Sequence, residues 1–249
     1  QASTVDGQLI SVGGANEDAS LRVQDLDGQI MSGFTAKRSL AKELARLMWE
    51  PVRLVGTGIW CRTDEGVWQL ERMQVQSFER LDDEGLGVTL ERLRSLNVQW
   101  PRDADNTMLS VLLNPDGGQV YEPGTTTPLN CAKERADSVV AHIEKARRKI
   151  ILPSPACAEL LTAIGPDAQQ YLNVVGRSRV FEVGNFDARG AAELALLNRG
   201  VFADQDRANG NDTNQKRKVD RQIIAICKVY GVTELYTEDK GMANRARLC

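Results

Sequence analysis

Histidine is nearly missing from this chain, since His142 is the only one among 249 residues. A Ser-His-Asp triad needs a histidine base, and zinc sites commonly use histidine ligands. Val139, Val140 and Ile143 form the apolar side of the helix that carries His142, so we expect this side chain to face solvent. Any catalysis by this chain is therefore expected to use carboxylates, lysines or hydroxyls.

The cysteine pattern also excludes common kinds of site. The five cysteines are scattered, odd in number and never spaced as C-x-x-C. This pattern indicates neither a zinc site nor a disulfide framework, and a reducing cytoplasm is the expected compartment. Apolar runs fall short of the ~20 residues that span a bilayer, so no membrane partner is expected. The formal net charge of -3 provides no global basic field for nucleic acid.

Residues 1–100 are predicted to form a small α+β domain. Short apolar segments between Gly and Asp turns predict three strands, at Leu9–Val12, Leu21–Gln24 and Ile30–Phe34. Leucines at helical spacing predict helices at Ala36–Trp49 and Asp82–Leu96. Val52–Trp60 and Val67–Phe78 alternate apolar and polar residues, which predicts a β-hairpin.

The role of this first unit is not indicated by any motif. The sequence has four tryptophans, Trp49, Trp60, Trp68 and Trp100. We favour the interpretation that they fill a small core, and the alternative is that they stack on nucleotide bases. Residues 1–100 carry 15 acidic against 11 basic side chains, which argues against strong phosphate binding and leaves a regulatory or antitoxin-like role open.

Residues 103–249 have a different pattern, in which helices alternate with short apolar strands. The strand candidates include Lys149–Leu152, Val180–Val183 and Val232–Tyr236. Alternation of this kind predicts an α/β domain with a mostly parallel sheet covered on both faces.

Four acids fall near the ends of these elements. Glu159 lies in the helix after the first strand candidate, Asp220 at the predicted start of a helix, and Asp239 directly after Val232–Tyr236. Asp105 precedes a further apolar segment. Because sites in parallel sheets form at the carboxyl ends of the strands, we expect these acids to converge. Each acid alone has a simpler role as a helix cap or turn residue.

Clustered carboxylates repel one another unless a cation lies between them. Mg²⁺ and Mn²⁺ prefer oxygen ligands, and Mg²⁺ keeps water molecules that substrate phosphate can replace. Such an ion activates water and stabilises charge on a phosphate, so the pattern predicts a divalent-metal site for phosphodiester chemistry.

Four segments carry a resemblance to a known family. Lys218–Cys227 contains Asp-x-x-Ile-x-Ala, and Leu235–Gly241 contains Thr-x-Asp. Ile150–Leu161 has a strand, a proline and a helix with an acid. With the Asp105-Asn106-Thr107 segment, they resemble the PIN-domain family over about 145 residues.

The resemblance implies a PIN-like fold, with a parallel sheet flanked by helices over residues 103–249. It implies a metal-dependent endoribonuclease that uses Mg²⁺ or Mn²⁺, including the toxins of VapC-type toxin–antitoxin pairs. The residues carried over by motif are the catalytic and metal-binding acids Asp105, Glu159, Asp220 and Asp239, with Lys216, Lys218, Thr107 and Thr237 for substrate binding and support. The implied partners are RNA, an antitoxin or other regulatory protein, and a second copy in a homodimer.

One departure from the family pattern leaves alternatives open. The residues before Asp105 are poor strand material, and Asp103 competes for the role of first acid. The alternatives are a catalytically degenerate RNA-binding or regulatory protein, and a structure-specific DNA nuclease.

Overall fold

The computed structural model describes residues 1–96, 112, 130–202, 214–237 and 239–249. The chain divides into two compact units. The first unit contains residues 1–89, 142–150 and 173–182, and the second contains residues 90–141, 151–172 and 183–249. Two later segments of the chain thus belong to the same unit as the N-terminal residues.

The first unit is built around a closed barrel of five strands. The strands are β1 (Ala2–Gly13), β2 (Asp18–Gln24), β3 (Ile30–Lys37), β4 (Pro51–Arg62) and β5 (Trp68–Arg80). A single helix, α1 (Arg38–Leu44), and a 3-10 turn, Ala45–Leu47, connect β3 to β4. The sequence predicted these strands and the β4–β5 hairpin but not the closure of the sheet.

The strand order around the barrel is β1-β2-β3-β5-β4, and β4 returns to pair with β1. Neighbouring strands are antiparallel except for β3 and β5, which run parallel and align Phe34 with Met73 and Ala36 with Val75. A five-stranded barrel in this order, with a helix between β3 and β4, has the topology of an OB-type barrel.

Alternation of apolar and polar residues explains which side of each strand faces inward. Along β2, Leu21 and Val23 are buried while Arg22 is exposed, as expected for a strand with one face in the core. The interior is filled by large apolar side chains from every strand, among them Leu9, Leu21, Phe34, Leu54 and Met73.

The tryptophans of this unit differ in their environments. Trp60 packs against the barrel core, and its indole N–H donates to Ser3 Oγ at 2.9 Å. The core interpretation is therefore confirmed for Trp60. Trp49 is 69% exposed, so that interpretation is wrong for Trp49.

Close approach of strands β4 and β5 depends on a glycine. A Cβ added to Gly56 would lie 2.0 Å from the carbonyl oxygen of Gln74, and the pairing register shifts between Val55 and Gly56. Glycine inside a strand commonly marks such a bulge or close approach.

We predict that Gly56→Ala destabilises the barrel by about 1–3 kcal/mol, because the new methyl group collides with backbone rather than with a flexible side chain. Urea denaturation of the full chain measures this change. Gly13→Ala is the matched control, since nothing lies within 4 Å of a Cβ at Gly13. Equal unfolding free energies for the two variants would contradict the close approach.

The remaining described elements are mostly helices. They are α2 (Leu86–Ser95), α3 (Ala132–Ala146), β6 (Ile150–Pro153), α4 (Ser154–Ile164), α5 (Ala168–Arg177), β7 (Phe181–Gly184), α6 (Ala188–Arg199), α7 (Asn214–Val229) and α8 (Lys240–Ala246). Asp187 starts α6 by accepting hydrogen bonds from the amides of Arg189 and Gly190, as expected of an N-cap aspartate. No described helix has both the length and the apolar character needed to cross a membrane.

The predicted fold class, a PIN-like parallel sheet flanked by helices, is wrong. The sheet of the molecule is the N-terminal barrel, and beyond it the described residues form only the two-stranded sheet of β6 and β7. Val232–Tyr236, predicted as a strand, has no strand assignment, and Thr233, Glu234 and Tyr236 in it are exposed. Strand propensity reflects packing against cross-strand and same-face neighbours, which the local composition of a segment does not determine.

The second unit contains a core formed by helices α6 and α7. Leu197 of α6 packs with Ile224 and Ala225 of α7, and Phe202 joins them just after α6. Both helices show the spacing expected of amphipathic helices that bury one side. Candidate functional side chains lie on or beside these same helices.

Candidate nucleic-acid interface and carboxylate site

The sequence-predicted residues divide into those that the structure describes and those that it does not. Asp105, its competitor Asp103, and Thr107 lie outside the described residues. Glu159 lies on α4 and is exposed. Asp220 and Asp239, with Lys216, Lys218 and Thr237, lie in the second unit.

Asp220 is a buried acid with a buried cationic neighbour. Its residue exposure is 4%, and Arg245 of α8 donates a hydrogen bond from Nη1 to Asp220 Oδ2. Helix α7 begins at Asn214 rather than at Asp220. Asp220 therefore lies inside the helix, and the predicted position at the helix start is wrong.

Asp239 starts helix α8. Its Oδ1 accepts from the amide of Met242 at 2.9 Å, and its own amide donates to Thr237 Oγ1 at 3.1 Å. Lys216 Nζ lies 2.7 Å from Asp239 Oδ2. Burial alone would raise the pKa of Asp239, but the hydrogen bonds from Lys216 and Met242 outweigh it and hold this pKa below its usual value.

Two ion pairs connect α7 with the α8 segment. Lys216 and Asp220 are one helical turn apart on α7, a spacing that puts side chains on the same side of a helix. Lys216 contacts Asp239 and Asp220 contacts Arg245, six residues further along. Two of the predicted acids therefore take part in ion pairs between α7 and the α8 segment, and the α7 members of the two pairs are one helical turn apart.

The donor chemistry of this site fits a divalent cation only in part. Mg²⁺ is commonly held by one or two carboxylates and by substrate phosphate. Lys216 is 49% exposed at its side chain and can leave Asp239, whereas Arg245 is 7% exposed and holds Asp220 in a buried pair. Within the described ranges, no group of three or more His, Cys, Asp or Glu side chains could hold a metal ion. The four-acid cluster that includes Asp105 stays a prediction.

Two buried charged residues of α6 were not anticipated from the sequence. Glu193 is 1% exposed and Arg189 is 9% exposed. Leu197 lies one turn after Glu193 and Arg189 lies one turn before it, so all three share the buried side of the helix. An acid in phase with buried leucine on an amphipathic helix is the signal that would have identified Glu193.

A second group of buried charges lies in the first unit. Arg53 binds Asp6 with two nitrogens, both at 2.8 Å, and Lys149 lies 3.3 Å from both Asp6 and Glu182. Burial raises the pKa of Glu182, although Lys149 and Arg53 act in the opposite direction. These contacts tie the segments around Lys149 and Glu182 to the barrel, and we interpret this group as structural.

Most exposed side chains on strands β2, β3 and β5 are polar or charged. Ser20, Thr35 and Gln74 occupy neighbouring positions in one row across these strands. Arg22 and Arg72 are exposed on β2 and β5. The face therefore presents hydroxyl and amide groups next to two guanidinium groups.

Glycine keeps the centre of this face open. Gly33 directly precedes Phe34, the residue of β3 that pairs with Met73. Its strand lies between β2, which carries Arg22, and β5, which carries Arg72. Its φ is +90°, and a Cβ there would lie 2.6 Å from the carbonyl oxygen of Glu71. A side chain is therefore excluded from the middle of the face, where the backbone remains accessible.

Comparison with known proteins assigns no family. No family model and no curated protein matches the chain. Solved structures of similar shape include the Stn1–Ten1 complex of S. pombe, with 17% identity, 33% of this chain and 59% of that chain covered, and a TM-score of 0.25. The mitochondrial single-stranded DNA binding protein Rim1 of S. cerevisiae has 8% identity, coverages of 33% and 95%, and a TM-score of 0.24. At such scores, the strand order itself is the basis for the fold assignment.

We predict that Arg245→Leu destabilises the protein by about 3–5 kcal/mol, because it removes the cation that contacts buried Asp220. The double variant Asp220→Leu/Arg245→Leu is expected to lose less than the sum of the two single variants, since the charges are removed together. Urea denaturation of all four proteins completes the cycle. Strictly additive losses would show that the two side chains do not interact.

Proposed function

We propose that this protein binds single-stranded nucleic acid through the outer face of its barrel. The observation that carries the proposal is the polar sheet face of β2, β3 and β5 with exposed Arg22 and Arg72 on either side of Gly33. In OB-type barrels, the face of strands 2 and 3 is the surface on which oligonucleotides bind.

The chemistry of this face suits a polyanion with many hydrogen-bonding groups. Guanidinium groups bind phosphate through paired N–H donors. Ser20, Thr35 and Gln74 supply donors and acceptors for sugars and base edges. The open position at Gly33 lets a base or sugar approach the sheet backbone.

The overall charge of the chain does not attract a polyanion. The whole chain has a net charge of -3, so binding depends on local arginines rather than on a global field. Binding through few phosphate contacts has a shallow salt dependence. Topology alone does not establish function, which makes the arginines the decisive test.

We predict that Arg22→Ala/Arg72→Ala weakens binding of a labelled oligouridine of about 15 nucleotides. The slope of log K against log salt should fall by about 1.4, because each phosphate contact on a single strand contributes about 0.7. Fluorescence anisotropy at several salt concentrations measures both quantities.

Arg135→Ala/Arg177→Ala is the charge-matched control, since both arginines are exposed and lie on helices outside the barrel. Equal losses in the two double variants would mean that only net charge matters. Failure of the wild-type chain to bind oligouridine or oligothymidine would refute the proposal.

A second candidate function is divalent-metal-dependent cleavage of RNA in the second unit. One observation favours it: both acids of the 218–241 resemblance take part in ion pairs that connect α7 with the α8 segment, Asp239 with Lys216 and Asp220 with Arg245. Lysine beside carboxylates can bind substrate phosphate as a point charge. Mg²⁺ or Mn²⁺, when bound, would supply an activated water and charge stabilisation.

We predict that the wild-type chain cleaves single-stranded RNA in the presence of Mn²⁺. We expect Asp239→Asn to lower the cleavage rate by more than the ~10–100-fold that is typical when an outer-shell partner of a metal is removed. Asp239 is a better target than Asp220, because its side chain is 29% exposed and its replacement disturbs no buried pair. Asp137→Asn, at an exposed position of α3, is the control. Cleavage that is equal in wild type and Asp239→Asn, or absent from wild type with Mn²⁺, would exclude this candidate.

A further inference from the structure

Trp49 differs from the apolar residues around it. It is 69% exposed, whereas Leu47 and Met48 pack against the barrel core and Val52 is buried in it. The chain thus turns the neighbouring apolar side chains inward and leaves the largest one outside. Exposed in this way, the indole contributes little to stability by burial.

The backbone of Trp49 adopts a conformation that usually requires glycine. Its φ is +64°, and at Gly28 and Gly33, with similar positive values, the same unit uses glycine. The Trp49 amide donates to the carbonyl of Leu9 at 2.7 Å, and its carbonyl accepts from the side chain of Gln8. A strained residue held from both sides in this way is typical of functional sites.

Two exposed arginines are associated with the chain around Trp49. Arg46 precedes it by three residues and is exposed. Arg80 reaches Glu50, the residue after Trp49, with 2.8 Å between Nη2 and Oε2, and 65% of the Arg80 side chain is exposed. An exposed ion pair of this kind is easily exchanged for another partner. An aromatic face next to arginines is the combination that binds unpaired nucleotides, since the base stacks and the phosphate meets a cation.

Trp49 and Arg72 lie towards opposite ends of β4. Trp49 precedes Pro51, the first residue of β4, whereas Arg72 pairs with Ile59 towards the other end of that strand. Eight residues of strand separate Pro51 from Ile59, which corresponds to roughly 26 Å. A single-stranded oligonucleotide that is bound at Arg72 and also reaches Trp49 must therefore be several nucleotides long.

We propose that Trp49 is a stacking platform for an unpaired nucleobase, with Arg46 and Arg80 beside it for the adjoining phosphates. The inference rests on the proposed function, and it adds a contact at the opposite end of β4. Trp49, whose backbone adopts a conformation typical of glycine, then serves to bind a nucleobase rather than to fill the core.

The test compares the full chain with Trp49→Gly and Trp49→Phe for binding of the same labelled oligouridine at about 100 mM salt. Loss of one stacked base weakens binding by about 5- to 150-fold in Trp49→Gly, and Trp49→Phe retains most of the affinity because it keeps a ring. Trp49→Gly should unfold at or above the wild-type temperature, since glycine adopts this φ without steric cost. Val88→Ala, at another exposed apolar residue, should bind like wild type.

Wild-type affinity in Trp49→Gly overturns the inference while the proposed function stands, because both proteins then bind the oligonucleotide. A clear fall in the unfolding temperature of Trp49→Gly also overturns it, since the indole would then be a packing group. Absence of binding by the wild-type chain is a separate outcome, in which the proposed function itself fails and the inference with it.

Discussion

The parallel pairing of β3 with β5 is the contact on which the rest of the first unit depends. It closes a sheet that would otherwise have two open edges, and it does so through a short register around Phe34 and Met73. Open edges expose unpaired backbone groups, so closure satisfies them and encloses the core. Gly33 lies at the start of this register, where a side chain would collide with the backbone of β5. The polar outer face exists because closure fixes β2, β3 and β5 side by side.

Buried charge has a different role in each unit. In the first unit, Asp6 and Arg53 of the barrel meet Lys149 and Glu182 from later in the chain. In the second, Asp220 is buried against Arg245. Breaking such a pair is costly because it leaves a charge in a poorly solvated place, so these contacts specify which segments pack together. The more exposed Lys216–Asp239 contact lacks this constraint.

Local patterns predicted much of the secondary structure. The β4–β5 hairpin and the helices α3 and α6 follow from alternation and helical spacing over a few residues. The strand predicted at Val232–Tyr236 is wrong because β propensity reflects packing in the folded sheet, which local composition does not determine. The motif around 218–241 selected Asp220 and Asp239, which do lie along one helix contact. It did not select Arg245 or Glu193, because ion pairs and burial on a helix face depend on residues far away in sequence.

The sequence by itself determined where many of the short strands and helices form, which faces of them are apolar, and that only one histidine is present. Only the tertiary structure decided that five strands close into a barrel, that Trp49 points outward in a left-handed backbone conformation, and that Asp220 is neutralised by Arg245. The physical reason is the range of the interactions. Helical spacing and strand alternation act over a few neighbouring residues, whereas β3–β5 pairing and buried ion pairs form between residues that only the folded chain brings together.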